Sequence, residues 1–430
     1  MDKIKKLLKY TIIYGILNGI EALVPFLFLI ILSRFLTTEE YGVWSLFAGL
    51  YAVVIPLIGG KLDDAVRMHF NELTNNNLNR FISTALYLIT FLSLLLLFIV
   101  TNFSSFFSSI TKFPERWLWT IIMVAFLYAV SNILRSIYQF KERSGQLATM
   151  VVIRVAITLA VTSAFVIAGA RYTAAIFGTA TGLAGSILIS TILFRIYLDI
   201  NVFSKLDRKF LFLLLRFFII YLPTAMGAVL IPLTDRLFIA HIEGLSETSF
   251  YSIANHFGAI IGLLVSGSFL FAWLPWIFNL LRKNDKESIK TAHIATLLFY
   301  IGLPLIGLII WQVSIFIAPY LMSENFLKAS DYIFWLIIAA VIQGYFTYNQ
   351  GFLHFAKKTN IMSLCSAVAI ISNIIFDYIF IIKYGTVGIA YATIVAYGCA
   401  AIVSGIMAAY FIRSHIATTC VNQEHKSYHD

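Results

Sequence analysis

Long apolar stretches, each near bilayer width, follow one another along this chain with short polar segments between them. A membrane-crossing helix needs about 20 predominantly apolar residues, and about 17 at the least. That window predicts twelve spans, at 10–33, 41–60, 81–101, 117–138, 147–168, 174–194, 217–240, 250–280, 292–318, 332–354, 361–382 and 385–411. Runs such as Phe81 to Val100 are continuously apolar and lack the alternation of a barrel strand. Only helices and closed barrels satisfy their backbone in lipid, so the pattern predicts an all-α membrane protein. The eighth stretch is long and contains Pro275, where a kink or break is expected.

Composition agrees. Of 430 residues, 60% are hydrophobic and 12% charged, against about 25% charged in soluble domains. The formal net charge of +10 has two readings, cytoplasmic loops obeying the positive-inside rule or an anionic substrate. With the N-terminus inside, the inner segments hold most of the 31 Lys and Arg, and the outer ones only Arg34, Lys112, Arg116, Arg171, Lys328 and Lys383. An odd number of spans would invert the later loops and spoil this bias, so both termini are expected in the cytoplasm. The opening MDKIKKLLKY has no small-residue cleavage site after it, and Glu21 interrupts the apolar run. It reads as a short amphipathic lead-in to a retained span.

No polar segment is long enough for a folded soluble domain. The basic piece around 195–216 lies midway and predicts two six-helix bundles, 1–200 and 217–414, joined by a linker at 201–216 and followed by a tail at 415–430. A weak internal repeat supports the split. Shifted by 207 residues, Pro25 meets Pro232, Glu40 meets Glu247, and Trp44-Ser45 meets Tyr251-Ser252. Six spans per half is even, so the repeats are parallel and related by an axis along the membrane normal.

Several stretches together resemble the Wzx-type O-antigen and exopolysaccharide flippases of the multidrug/oligosaccharidyl-lipid/polysaccharide exporter superfamily. They are RFLTTEEYGVWSLF, GGKLDDAVRMHF, YLPTAMGAVLIPLTDRLFIAHIEG with FYSIANHFGAII and WLPWIF, and the closing SNIIFDYIFIIKYGTVGIAYATIVAYG. The order and spacing carry the likeness over nearly the whole chain. One departure is Ser249-Phe250, where the family usually has a Gly before Tyr-Ser-Ile-Ala. The resemblance implies a V-shaped, MATE-like pair of bundles working by alternating access in the bacterial inner membrane. Its cargo would be an undecaprenyl-pyrophosphate-linked glycan such as the O-antigen repeat unit of lipopolysaccharide, or a capsule or exopolysaccharide repeat unit, with the polyprenyl tail left in lipid. The partners implied are that lipid-linked glycan, membrane lipid, and polysaccharide polymerase and chain-length regulator proteins, with no nucleic acid.

Charges inside spans are costly and mark pairing or transport. Six stand out: Glu21, Arg135, Arg154, Asp235, Arg236 and Asp377. Arg135 and Arg154 lie about 9 Å and about 16 Å along their helices from the basic segment Lys141–Arg143. They suit a diphosphate, because a planar guanidinium binds two oxygens at once. The bland alternative has Arg135 snorkelling to headgroups and Arg154 paired with Glu21. Glu21 reads as a structural ion-pair partner or as a proton-coupling group. Asp235 and Arg236 are adjacent and point about 100° apart on a helix. An Arg236–Asp377 latch is one reading, with Asp235 left as a cation or cavity group. Asp63, Asp64 and Arg67 occupy the loop after the second span, either as a solvated salt-bridged loop or as a gate meeting the incoming phosphate.

The histidines and the three cysteines show no metal or redox spacing, and there is no Walker phosphate loop, so neither metal nor cofactor is expected. Energy would come from an ion gradient or from substrate supply and removal. Two rival functions remain. A MATE-like antiporter of small amphipathic compounds should have an acidic, aromatic cavity, whereas the first bundle carries two Arg and one Glu. A glycan ligase or acyltransferase should present catalytic residues on a sizeable external loop, and neither 102–116 nor 319–331 does so. The chain is expected not to be an enzyme.

Overall fold

A chain this apolar meets its backbone hydrogen-bonding needs within helices, since lipid offers no partners. In the computed structural model residues 2–427 are described except 60, 71, 194–203, 266–268, 284 and 357; the side chains of 2–14, 18, 193, 224, 271–272, 359 and 412–427 also lie outside the description. Among the described residues there is no strand. The α-helices are α1 (Asp2–Phe35), α2 (Thr38–Gly59), α3 (Leu62–His69), α4 (Asn75–Asn102), α5 (Ser104–Thr111), α6 (Leu118–Phe140), α7 (Ser144–Ile167) and α8 (Thr173–Leu188). They continue with α9 (Arg208–Ile242), α10 (Leu245–Leu264), α11 (Leu270–Lys283), α12 (Lys286–Leu321), α13 (Ser330–Phe355), α14 (Thr359–Tyr384) and α15 (Thr386–Ser427).

Among the described residues 11 helices are long and apolar enough to cross a membrane. They coincide with the predicted spans apart from the eighth, which is divided between α10 and α11. Pro275 sits inside α11 as its sixth residue, and α-helix is described up to Leu264 and again from Leu270. A proline at that position removes one intrahelical hydrogen bond. The lead-in before Tyr10 is helical, but its side chains lie outside the description, as do residues 195–203 of the expected basic piece at 195–216.

The chain divides into two compact units, residues 1–249 and 250–430. In the first, α2 packs on α6 and α9, α7 on α1 and α8, and α4 on α6. Its core combines Phe81, Ile137, Tyr138, Leu147 and Leu214, each under 2% exposed, and Phe210 meets Phe81 edge-to-face at 5.4 Å. Glycines set the closest approach. A Cβ at Gly178 would lie 2.8 Å from the Thr158 carbonyl oxygen, and one at Gly182 2.7 Å from that of Arg154. Small residues let helices touch where no hydrophobic effect drives them together. The start of α2 carries a capping box: Thr37 N–H donates to Glu40 Oε2 at 3.1 Å, and Glu40 N–H to Thr37 Oγ1 at 3.2 Å.

In the second unit α15 packs against both α13 and α14. One residue, Gly385, joins α14 to α15 at φ 63°, a backbone state that glycine adopts without strain. Gly388 lies against the Phe380 carbonyl, and Ala392, Ala396 and Ala400 are fully buried. The outer face of α12 is apolar and exposed through Leu297, Leu298, Ile301, Leu305, Ile309 and Phe316. That face suits contact with lipid.

Candidate functional site

Three helices of the first unit bring charged side chains together inside the apolar layer. α1 supplies Glu21, α6 supplies Arg135 and α7 supplies Arg154. Arg135 Nη1 donates to Glu21 Oε2 at 2.6 Å. Arg154 Nη2 lies 2.9 Å from Glu21 Oε1. That second contact lacks hydrogen-bond alignment, because Glu21 Oε1 is buried with no donor aimed at it. The side chains are 19% exposed for Glu21 and 15% for each arginine. Arg135 is five residues from the end of α6 and Arg154 ten from the start of α7, about 7 Å and about 15 Å along their helices. One carboxylate therefore spans two cations at different depths, and the trio keeps one net positive charge.

Two neighbours extend the cluster. Arg154 lies within electrostatic reach of Tyr51, whose ring meets Tyr128 edge-on at 5.9 Å. Ser136, next to Arg135 and fully buried, accepts from Arg67 Nε at 3.0 Å. Arg67 also donates to Asp64 Oδ1 at 3.2 Å and Asp63 Oδ2 at 3.1 Å. These three residues form one face of α3, so the expected loop is a helix. Arg67 stands three and four residues after its acids, the spacing at which helical side chains meet. The Asp63 carboxyl titrates above the ordinary aspartate range, mainly through loss of hydration and then through the Asp64 charge, with Arg67 opposing both.

The other intramembrane charges stand on α9 and α14. On α9, Asp235 is 3% exposed. Arg236 lies against α2, its Nη1 2.9 Å from where a Cβ on Gly49 would stand, and its charge reaches Tyr41. In the second unit Asp377 is fully buried on α14 and accepts from Asn373 Nδ2 at 3.2 Å.

Sequence reasoning missed a polar-aromatic cluster in the second unit. Tyr300 OH donates to Asn349 Oδ1 at 2.8 Å, Asn349 Nδ2 donates to the Ala401 carbonyl at 3.0 Å, and the Thr296 and Tyr348 hydroxyls lie 2.8 Å apart. They line a cavity of about 450 Å³ with His293 and Phe352. The adjacent polar residues Asn349-Gln350 inside an apolar run were the visible signal. Among the described residues no group of His, Cys, Asp and Glu could hold a metal ion.

Comparison with known proteins gives this geometry its context. The family model for polysaccharide biosynthesis protein matches residues 7–281, well over half of the chain. The chain belongs to this family. A second model, MatE, matches residues 224–379. No curated protein matches the chain. Among solved structures, an inward-facing multidrug-resistance MATE transporter superposes with a TM-score of 0.76 at 16% identity, covering 93% of this chain and 96% of that one. The lipid II flippase MurJ, inward closed, gives a TM-score of 0.68 at 19% identity, over 92% and 86%. A superfamily transporter from Pyrococcus furiosus, described by the reversed polarity of its binding pocket, gives 0.52 at 16% identity, over 95% and 96%. This member of the polysaccharide biosynthesis family thus has the fold of the superfamily's transporters and flippases, not that of an enzyme.

Proposed function

We propose that the chain moves a polyprenyl-pyrophosphate-linked oligosaccharide, an O-antigen, capsule or exopolysaccharide repeat unit, across the bacterial cytoplasmic membrane by alternating access. The observation that carries this reading is the Glu21–Arg135–Arg154 cluster. Two guanidinium groups share one carboxylate at part-buried positions inside the apolar layer, so by count the trio carries one more positive than negative charge. A pyrophosphate offers paired oxygens that match the guanidinium fork. In this reading Arg67, held by Asp63 and Asp64 on α3, is the inner gate, and both termini are cytoplasmic. Asp377 and Asp235 are the candidate coupling carboxylates.

The test has two parts. In a strain lacking the protein, undecaprenyl-linked repeat units should accumulate on the cytoplasmic face. Arg135→Ala and Arg154→Ala, expressed at normal level, should reproduce that accumulation in whole or in part. Full glycan export by both variants would remove the arginines from the cargo path.

A second reading is export of small amphipathic compounds. It is favoured by the MatE match and by an apolar, aromatic cavity of about 530 Å³ in the second unit. Raised sensitivity of the deletion strain to lipophilic cations, with normal glycan export, would select it.

A further inference from the structure

The second unit holds a groove whose chemistry changes along one helix. Its deep part is the cavity of about 530 Å³ between the end of α10, the start of α11 and the middle of α12. Leu264, Phe269, Trp273, Leu298, Gly302 and Ile306 line it. Nothing lies within 4 Å of where a Cβ on Gly302 would stand, so this glycine leaves the space open. Followed toward the turn before α12, the row at four-residue spacing reads Ile306, Gly302, Leu298, Ile294, Lys290, Lys286. Residues at this spacing form a ridge inclined to the helix axis, turning by about 40° at each step, so the row winds around α12 toward its basic end. Three of its apolar members are exposed: Leu298 at 61%, Ile294 at 49% and Ile306 at 43%.

The ridge ends in a basic turn. Arg282, Lys283, Lys286 and Lys290 are all exposed. Two acids stand among them. Asp285 is committed to capping α12, accepting from Ser288 N–H at 2.8 Å, and Glu287 is exposed. Four cations against two acids leave the turn positive. From Lys290 to Gly302 is about 18 Å of helix, close to one leaflet's share of a hydrocarbon core about 30 Å thick. The neighbouring polar cavity is walled off by the Phe299–Tyr348 stack at 4.3 Å, and its hydroxyl and amide groups are paired with one another. It offers no charge to a headgroup.

We propose that this groove is a binding site for an anionic phospholipid of the inner leaflet. One acyl chain lies along Leu298, Gly302 and Ile306, and the phosphate rests against the lysines of the turn. The site is built from residues of the second unit, the arginine cluster from residues of the first, and the proposal does not depend on the identity of the cargo.

The test uses the full chain, purified and delipidated in detergent, with native mass spectrometry and thermal denaturation as readouts. Phosphatidylglycerol should be retained and should raise the melting temperature saturably, and phosphatidylcholine should do neither. Lys286→Gln and Lys290→Gln should each weaken retention about fivefold, the contribution of one basic residue at an anionic membrane surface. Gly302→Leu should fill the groove and abolish the saturable shift, with a lipid-free melting temperature no lower than that of the native protein, and Gly302→Ala should fall between in lipid retention. Equal retention of phosphatidylcholine would overturn the headgroup assignment. Undiminished phosphatidylglycerol binding in a folded Gly302→Leu protein would place the lipid elsewhere. If that variant does not fold, Gly302→Ala and the two lysine variants decide. Stronger retention of undecaprenyl phosphate than of phosphatidylglycerol would overturn the proposal by making the groove a cargo-tail site.

Discussion

Replacing Glu21 by Gln tests whether one carboxylate holds two arginines in place. The change keeps the side-chain volume and removes only the charge. In the native protein Glu21 meets Arg135 at 2.6 Å and Arg154 at 2.9 Å, at 19% and 15% exposure. Removing one partner of a buried ion pair strands the other, at a cost of about 3–5 kcal/mol. Residual solvent access places Glu21→Gln at the lower end, about 3 kcal/mol. For a unit of 249 residues that is a melting-temperature drop of about 6 °C or more. Arg154→Met should cost less, about 1 kcal/mol, because the aligned Arg135 hydrogen bond survives. Adding Arg154→Met to Glu21→Gln removes one stranded cation, so the double variant should melt above Glu21→Gln alone. Tryptophan fluorescence during a thermal ramp in detergent reads all three proteins. A double variant that melts below both single ones would mean that the two arginines do not depend on Glu21.

Other positions give equally direct tests. Asp63 titrates above its unfolded value because it is buried beside Asp64, so ionising it opposes folding. The related stability is complete below the unfolded pKa and is lost as pH rises through the folded one. Asp63→Asn should therefore stabilise the protein at neutral pH and have no effect in strong acid, read by thermal denaturation across pH. Gly182→Val should cost about 1–3 kcal/mol by overpacking, since its Cβ would meet the Arg154 carbonyl and the Thr158 side chain. Gly398→Ala, in a helix with open space around it, should gain up to about 1 kcal/mol; the two melting temperatures should move in opposite directions. Asn349→Leu leaves the Tyr300 hydroxyl without its acceptor, while the Ala401 carbonyl keeps the Ser404 hydroxyl, and should lower stability by about 1 kcal/mol.

The spans were legible because crossing lipid demands a fixed length of apolar helix, and length survives in a single sequence. The eighth was half legible. Its excess length set it apart, and it is carried by two α-helices, α10 and α11, with Pro275 inside the second. The segment after the second span was misread as a loop because Lys61, Asp63, Asp64 and Arg67 are polar. Yet the same residues at spacings of three and four make the pairs that hold α3 together.

The arginines could be found without a structure, because a charge inside an apolar run is conspicuous and must be compensated. What compensates it depends on which helices touch. Glu21 on α1 reaches α7 because α7 packs closely on its neighbours, and on its α8 side that closeness comes from glycines at 178 and 182. Nothing in the sequence shows that Gly182 rests on the Arg154 carbonyl itself. The spacing that forms the helix pair thus also fixes the height of the guanidinium group. Neutralisation in this cluster is partial by count, one acid for two bases, and the proposed anionic cargo rests on that imbalance rather than on the presence of arginine alone. Adding a second carboxylate to the cluster, as in Tyr51→Glu beside Arg154, should cancel the remaining charge and stop glycan export while the fold persists. Normal export by such a variant would show that the surplus charge has no part in transport.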